Sequence, residues 1–224
     1  GSNGTPSESS ATAVMDAYIA RINEIDTVYD YAYVRGHQYA FIYRVQTVRL
    51  DSYQLYAGSQ SFPSTPLVAD FRTVNGNFDF SMITVHTSPS LAETEIIALK
   101  TAMGEVSALY NESDVLCVGD FNADGTYYDE GNGTWLAGFD TGEYITGIAN
   151  SVDTTVASSS NTYDRMQMTT SMTGDFAGTT GVVVFADEYE LANLEGSSGN
   201  AGTERALSDH YPVWAQYYTD RDTD

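Results

Sequence analysis

Apolar positions along this chain change their spacing from stretch to stretch, and the spacing predicts the elements. Val14, Tyr18, Ile22 and Ile25 recur every three or four residues behind Ser9 or Ser10 as a cap, which predicts an amphipathic helix over 11–25. Runs rich in β-branched and aromatic residues follow at 27–34, 38–44, 46–56, 66–73 and 78–86. Gly, Pro, Asn or Ser breaks them apart, so they read as strands. Ser90 and Glu93 form a capping box for a second helix, whose apolar face continues through Ile96, Leu99, Met103 and Val106. Further strands are predicted at 114–119 and near 162–169, 181–186 and 210–218. Loops around short pieces fill 125–160, and 192–207 reads as a long mobile loop. No internal repeat interrupts this order. Residues 1–10 read as a flexible leader, 11–219 as a single domain and 220–224 as a tail.

Composition sharpens the picture. A chain of 224 residues with 42% hydrophobic and 12% aromatic residues can bury a substantial core, which argues against disorder. Its 31 acidic and 9 basic residues give a net charge of −22, and Lys100 is the one lysine. Such a surface does not attract polyanions by charge. Lysine depletion with abundant Asp, Ser and Thr suggests a high-salt setting, where screening lengths fall to about 3 Å at 1 M and self-repulsion fades. Cys117 stands alone in the apolar run DVLCVG, so it forms no internal disulfide and reads as a buried, inert thiol. No run of 18 apolar residues suggests a membrane span, and the start has neither a charged nor an apolar leader region, so any signal peptide has already gone. Sequons at Asn3, Asn111 and Asn132 suit an extracellular or cell-surface protein.

The chemistry concentrates in three strings: HTSPS at 86–90, GDFNAD at 119–124 and SDHYPV at 208–213. A phosphodiester resists hydrolysis because its anionic oxygens repel nucleophiles and its leaving alkoxide is poor. Cationic charge, an activated water and a proton donor are therefore needed, and Asp, Asn, His and a divalent metal can supply all three. Asp209 offers a carboxylate to a metal beside the His210 imidazole. Asp120 and Asn122, two apart in an extended segment, are expected to point to one side. Asp120-x-Asn122-x-Asp124-Gly125 also opens like an EF-hand loop, but Gly131 stands where the twelfth-position Glu belongs and a strand precedes it, so that reading fails. His37 reads as a surface histidine in a tight connection. Tyr127 and Tyr128 read as packing residues rather than a nucleotide stack.

These strings, with QYAFIYR at 38–44 and DTTVASSSNTYDR at 153–165, resemble the endonuclease/exonuclease/phosphatase superfamily, and within it the deoxyribonuclease I-like branch. They occur in that family's order and approximate spacing from the first helix to the last strand. The resemblance implies an α/β (α+β) fold, a four-layer αββα sandwich of two packed mixed sheets with the active site at one edge. It implies divalent-metal-dependent cleavage of DNA, with His210 as general base oriented by Asp164 and His86 as general acid. Asp120 and Asn122 would position water and phosphate. Asp209 and Asp120 would hold Mg²⁺ or Mn²⁺, while Asn122, Tyr163 and Arg165 would bind substrate. Asp153, Thr155 and Ser159 fall where this branch binds a structural Ca²⁺.

Departures from the family pattern carry information too. The family opens with an Asn-bearing strand and a strand ending in Gln-Glu, whose Glu is its principal metal ligand, and neither precedes the helix at 11–25. A truncated or processed product, a chain completed by another polypeptide supplying those strands, and a domain without its metal are the open alternatives. His37 replaces a Glu that would hold His86 protonated, and a second imidazole disfavours that charge. Ser64 replaces an Arg that would grip phosphate. Beside a secreted, salt-adapted endonuclease, the alternative function is therefore a catalytically impaired nuclease-fold module in a cell-surface or assembly role. A phosphatase or phospholipase of the same superfamily fits HTSPS and DTTVASSSNTYDR less well.

Overall fold

The computed structural model describes residues 8–25, 28–33, 37–128, 135–139, 142–184 and 207–223. Residues 192–206 of the expected long loop lie outside them. In chain order the elements are α1 (Glu8–Ile25), β1 (Tyr29–Tyr33), β2 (Ala40–Arg44), β3 (Val48–Leu55), β4 (Leu67–Thr73), β5 (Asp79–His86), α2 (Ala92–Tyr110), β6 (Val115–Asp120), β7 (Tyr144–Thr146), β8 (Asp164–Thr169), β9 (Phe176–Val182) and β10 (Val213–Tyr217). Residues 8–10, expected in the leader, belong to α1. Residues 220–222, expected as a tail, are docked: Asn77 Nδ2 donates to Asp222 O at 2.7 Å, and Asp222 is buried.

Six strands form the main sheet in the order β3-β4-β5-β6-β8-β7, with β5 and β6 parallel and the other neighbours antiparallel. Period-two alternation sends each central strand to two cores. From β5 and β6, Ile83, Val85, Val115 and Cys117 meet Ile96, Leu99, Met103 and Val106 of α2 on one face. Phe80, Met82, Leu116 and Val118 face the opposite side. Among the described residues that side is covered by two separate ladders, β1-β2 and β9-β10, where one second sheet is expected. The β1-β2 ladder packs Phe41 and Tyr43 on Phe71, and the β9-β10 ladder packs Tyr217 on Phe78.

Two expectations about the helices need correction. Pro89–Leu91 forms a 3-10 turn, so α2 begins at Ala92 without a side-chain cap, and Ser90 is not a capping residue. Glu95 instead reaches back to accept the Ser88 N–H at 2.6 Å. On α1, Ile19 is buried, whereas Val14, Tyr18 and Ile25 of the expected core face are more than half exposed (65%, 54% and 83%).

Candidate active site

The site is built where three adjacent strands of the main sheet end together. Register pairs His86 of β5 with Asp120 of β6, and Asp120 with Asp164 of β8. Gly119 makes this approach possible. Its φ is +138°, and a Cβ there would lie 1.9 Å from Val85 O, so only glycine lets β5 and β6 close up just before His86 and Asp120.

A second set of contacts brings in the SDH segment. Thr155 forms a β-bridge with His210, Val156 N donates to Asp209 O at 2.9 Å, and Tyr211 N donates to Thr154 O at 2.8 Å. Buried Thr154 accepts from both Tyr163 N and Asp164 N through its hydroxyl, at 3.1 Å each. This one threonine therefore ties TYDR to the strand-like segment that carries His210. Asp153 closes its own loop, its Oδ1 accepting from Thr155 N, Thr155 Oγ1 and Asn161 N at 3.0–3.2 Å.

The result is one open cavity of about 460 Å³ lined by His86, Asp120, Asn122, Tyr163, Asp164, Asp209 and His210, with Tyr127 and Ser208. Asp164 Oδ2 lies 2.7 Å from His210 Nδ1. Asp120 Oδ2 sits between the two histidines, 3.4 Å from His86 Nε2 and 3.8 Å from His210 Nε2. The hydrogen bond and charge of Asp164 raise the His210 pKa to about 9, helped by Asp120 and Asp209 and opposed by burial. Burial raises the Asp120 carboxyl above the usual range, opposed by the Asn122 N–H that it accepts at 2.8 Å; the Asp164 charge adds to the rise and the two histidines counter it.

Several expected residues stand elsewhere or act differently. Arg165 is fully buried, donating to Asn150 Oδ1 at 2.7 Å and Ala123 O at 3.0 Å, so it cannot touch substrate. Alternation along β8 explains this: if Asp164 faces the cavity, its neighbour faces away. Asn122 is not in an extended segment. Its φ is +47°, and its Nδ2 donates to Thr87 O at 2.8 Å, so it stitches the HTSPS and GDFN loops together. Asp153 and Thr155 do not line the cavity, nor do His37 and Ser64. Ser64 instead accepts from Gln38 Nε2 at 2.6 Å. Tyr128 is buried as expected, but Tyr127 is exposed at the cavity, tilted on Tyr163 with ring centroids 5.6 Å apart.

Sequence reasoning missed two supports of His86. The Tyr39 hydroxyl accepts the His86 backbone N–H at 2.9 Å, and Glu95 lies buried beneath the same loop, its carboxyl raised by burial and drawn back by the Ser88 N–H and His86. It also missed a trio of buried carboxylates, Asp114, Asp175 and Asp222, whose ligand atoms lie within 4.8 Å of one another. Asp114 immediately precedes β6, whereas Asp120 ends it, so the trio stands away from the cavity.

Two histidines and three carboxylates thus converge at one end of a mixed α/β sheet. No family model matches the chain. Its architecture is similar to that of an endonuclease/exonuclease/phosphatase family protein from Bacteroides thetaiotaomicron (TM-score 0.52, 13% identity, 90% of this chain and 77% of that one). It is also similar to D. rerio TDP2 complexed with single strand DNA product (TM-score 0.56, 12% identity, 92% and 82%). In sequence it is 29% identical over 185 residues to Bos taurus deoxyribonuclease-1, covering 79% of this chain and 63% of that protein. The chain is a distant sequence homologue of deoxyribonuclease I-like proteins, and its fold is that of the endonuclease/exonuclease/phosphatase proteins.

Proposed function

We propose that this protein is a divalent-metal-dependent phosphodiesterase, and most specifically a deoxyribonuclease I-like endonuclease acting on DNA. The observation that carries the reading is the Asp120 carboxylate set between His86 and His210, with His210 clamped from behind by Asp164. In it, His210 takes the proton from the attacking water through Nε2, Asp164 fixing the ring by its Nδ1 contact. His86, more exposed than His210, protonates the leaving oxygen. Asp120 orients both rings, Asn122 keeps their loops in register, and Tyr163 with Tyr127 offers aromatic surface to the sugar or base.

Hard oxygen donors in the cavity fit Mg²⁺ or Mn²⁺, which Asp120 and Asp209 would hold and which would supply charge neutralisation for the phosphate. Among the described residues no third His, Cys, Asp or Glu completes a trio within 4.8 Å there, so water and phosphate oxygens would fill the remaining positions, as is usual for magnesium. Calcium at Asp153 and Thr155, an extracellular setting and salt adaptation belong to the same proposal; the charge of −22 supports the last. A second reading, an impaired nuclease-fold module, is favoured by that two-carboxylate donor set and by the divided second layer.

Supercoiled plasmid incubated with the protein in Mg²⁺ or Mn²⁺ separates the two. The nuclease reading expects nicking that falls by about 10²-fold or more in His210→Ala, the usual worth of a general base. Nicking that survives His210→Ala unchanged would refute the assignment, and none in the parent chain would favour the module.

A further inference from the structure

A short stair of rings leads out of the active site. From His210 the Tyr163 ring lies 5.9 Å away between centroids, tilted by 37°, and from Tyr163 the Tyr127 ring lies 5.6 Å away, tilted by 39°. All three line the cavity that holds His86 and Asp120. Tyr127 is 43% exposed whereas Tyr128 is buried, so of two adjacent rings one joins the core and the other is left at the cavity. The exposed ring is held from below. Tyr127 N donates to Asp124 O at 3.3 Å, and the Asp124 carboxylate accepts the Thr162 N–H at 2.7 Å, which ties this turn to the segment carrying Tyr163. Gly125 closes the turn at φ +62°, where a Cβ would lie 3.0 Å from Asn161 Oδ1 and 3.1 Å from the Tyr163 hydroxyl. Tyr127 is therefore positioned before any ligand arrives, which lowers the ordering cost of a contact with its ring.

We propose that Tyr127 is the specificity-determining residue of this site: its ring stacks on an unpaired nucleobase beside the phosphate in the cavity, and so selects single-stranded DNA over duplex. The proposal rests on the phosphodiesterase reading of the same cavity and names its substrate class. Inside a duplex both faces of a base are covered by its neighbours and only the edges are open, so a tyrosine ring finds a free base face only where the strand is unpaired. Electrostatics points the same way. Duplex binding relies on Lys and Arg that displace counterions from phosphates, and among the described residues none lines this cavity, in a protein of charge −22. A single strand depends less steeply on such contacts for each phosphate neutralised. Stacking needs no charge at all, and one base on one aromatic ring is worth about 5- to 150-fold in affinity.

Binding is measured apart from cleavage, so that the two readings fail separately. Short fluorescein-labelled oligonucleotides with cleavage-resistant phosphorothioate linkages, one a single strand and one a blunt hairpin duplex, are titrated with the full chain in Mg²⁺ and followed by polarisation. The single strand should bind about tenfold or more tighter than the duplex. Tyr127→Leu keeps an apolar side chain without an aromatic face; it should lose about 5- to 150-fold on the single strand alone, while Tyr127→Phe binds as the parent does. If circular dichroism shows Tyr127→Leu unfolded, an abasic single strand replaces it, since removing the bases should cost the parent the same factor. Equal affinity of the parent for strand and duplex would overturn the proposal. So would an equal loss on both in Tyr127→Leu, full affinity for the abasic strand, or no binding to either DNA. A chain that passes these tests yet cleaves no unmodified DNA keeps the base-stacking site and loses the phosphodiesterase reading.

Discussion

Replacing Asp164 by Asn tests the pairing on which the proposed chemistry depends. The amide keeps the size of the carboxyl and an acceptor oxygen for His210 Nδ1–H, but removes the charge. In the parent protein His210 has a pKa raised from 6.5 to about 9, largely by Asp164 at 2.7 Å. A difference of about 2.5 units at 1.36 kcal/mol each corresponds to about 3 kcal/mol of preferential stabilisation of the imidazolium. A group whose folded pKa is raised contributes stability that is fully present below its unfolded value. That contribution is lost as pH rises through the folded value, so here the window runs from about 6.5 to about 9. Asp164→Asn should pull the His210 pKa down by more than about one unit, with Asp120 and Asp209 retaining the rest of the shift. In urea unfolding between about pH 6 and pH 10, the parent should lose stability more steeply than the variant by about 1–3 kcal/mol, other titrations cancelling in the comparison. Proton NMR titration of the His210 ring reads the pKa directly. An unchanged His210 pKa in Asp164→Asn would refute the reasoning, whatever happened to activity.

Other consequences are as direct. Tyr39→Phe leaves the His86 N–H without its acceptor, which should cost about 1–3 kcal/mol in urea unfolding and lower kcat more than KM in the plasmid assay; equal stability would dismiss the contact. Arg165→Met, assayed by thermal unfolding, should destabilise by several kcal/mol because it strips Asn150 and Ala123 of a buried donor, whereas its effect on substrate affinity should be small; the reverse pattern would restore Arg165 to the substrate surface. Raising KCl from about 0.1 M to about 2 M should raise Tm by roughly 5 °C, the effect of about 2 kcal/mol in a domain of this size, as screening relaxes the charge of −22; a fall would count against salt adaptation.

The strings that end on neighbouring strands were the legible part. HTSPS and GDFNAD each close an apolar run, and parallel pairing of β5 with β6 makes adjacent run ends adjacent in space. The Asp164–His210 contact was likewise legible from TYDR and SDH. What failed depended on information outside the local string. The extended backbone expected at Asn122 fails because an Asn after a strand readily adopts a left-handed turn, which cancels the alternation rule, although Asn122 does line the cavity. Arg165 was misjudged although alternation next to Asp164 carried the signal. The Tyr39 hydroxyl and the Asp114, Asp175 and Asp222 trio join residues 47 to 108 positions apart, a separation that no motif spans. The second layer was the least legible, since its strands meet through partners far along the chain, and the described residues supply two ladders where the family pattern implies one sheet.

Charge bookkeeping at the cavity decides between the roles left open for its histidines. Asp120, Asp164 and Asp209 line it with no lysine or arginine among the lining residues, so its cationic side chains are imidazoles alone. A phosphodiester approaching three carboxylates meets repulsion that screening by salt reduces but does not reverse. Below pH 9 His210 is held as imidazolium by that same negative charge, which suits binding an anion but not accepting a proton. A divalent cation on Asp120 and Asp209 would remove their share of that negative charge, lowering the His210 pKa from about 9 toward neutral while also meeting the phosphate. The pH–rate profile should accordingly show a basic limb that moves to lower pH as Mg²⁺ is raised. A limb that stays in place across a magnesium titration would separate His210 from the metal site and return it to an anion-binding role.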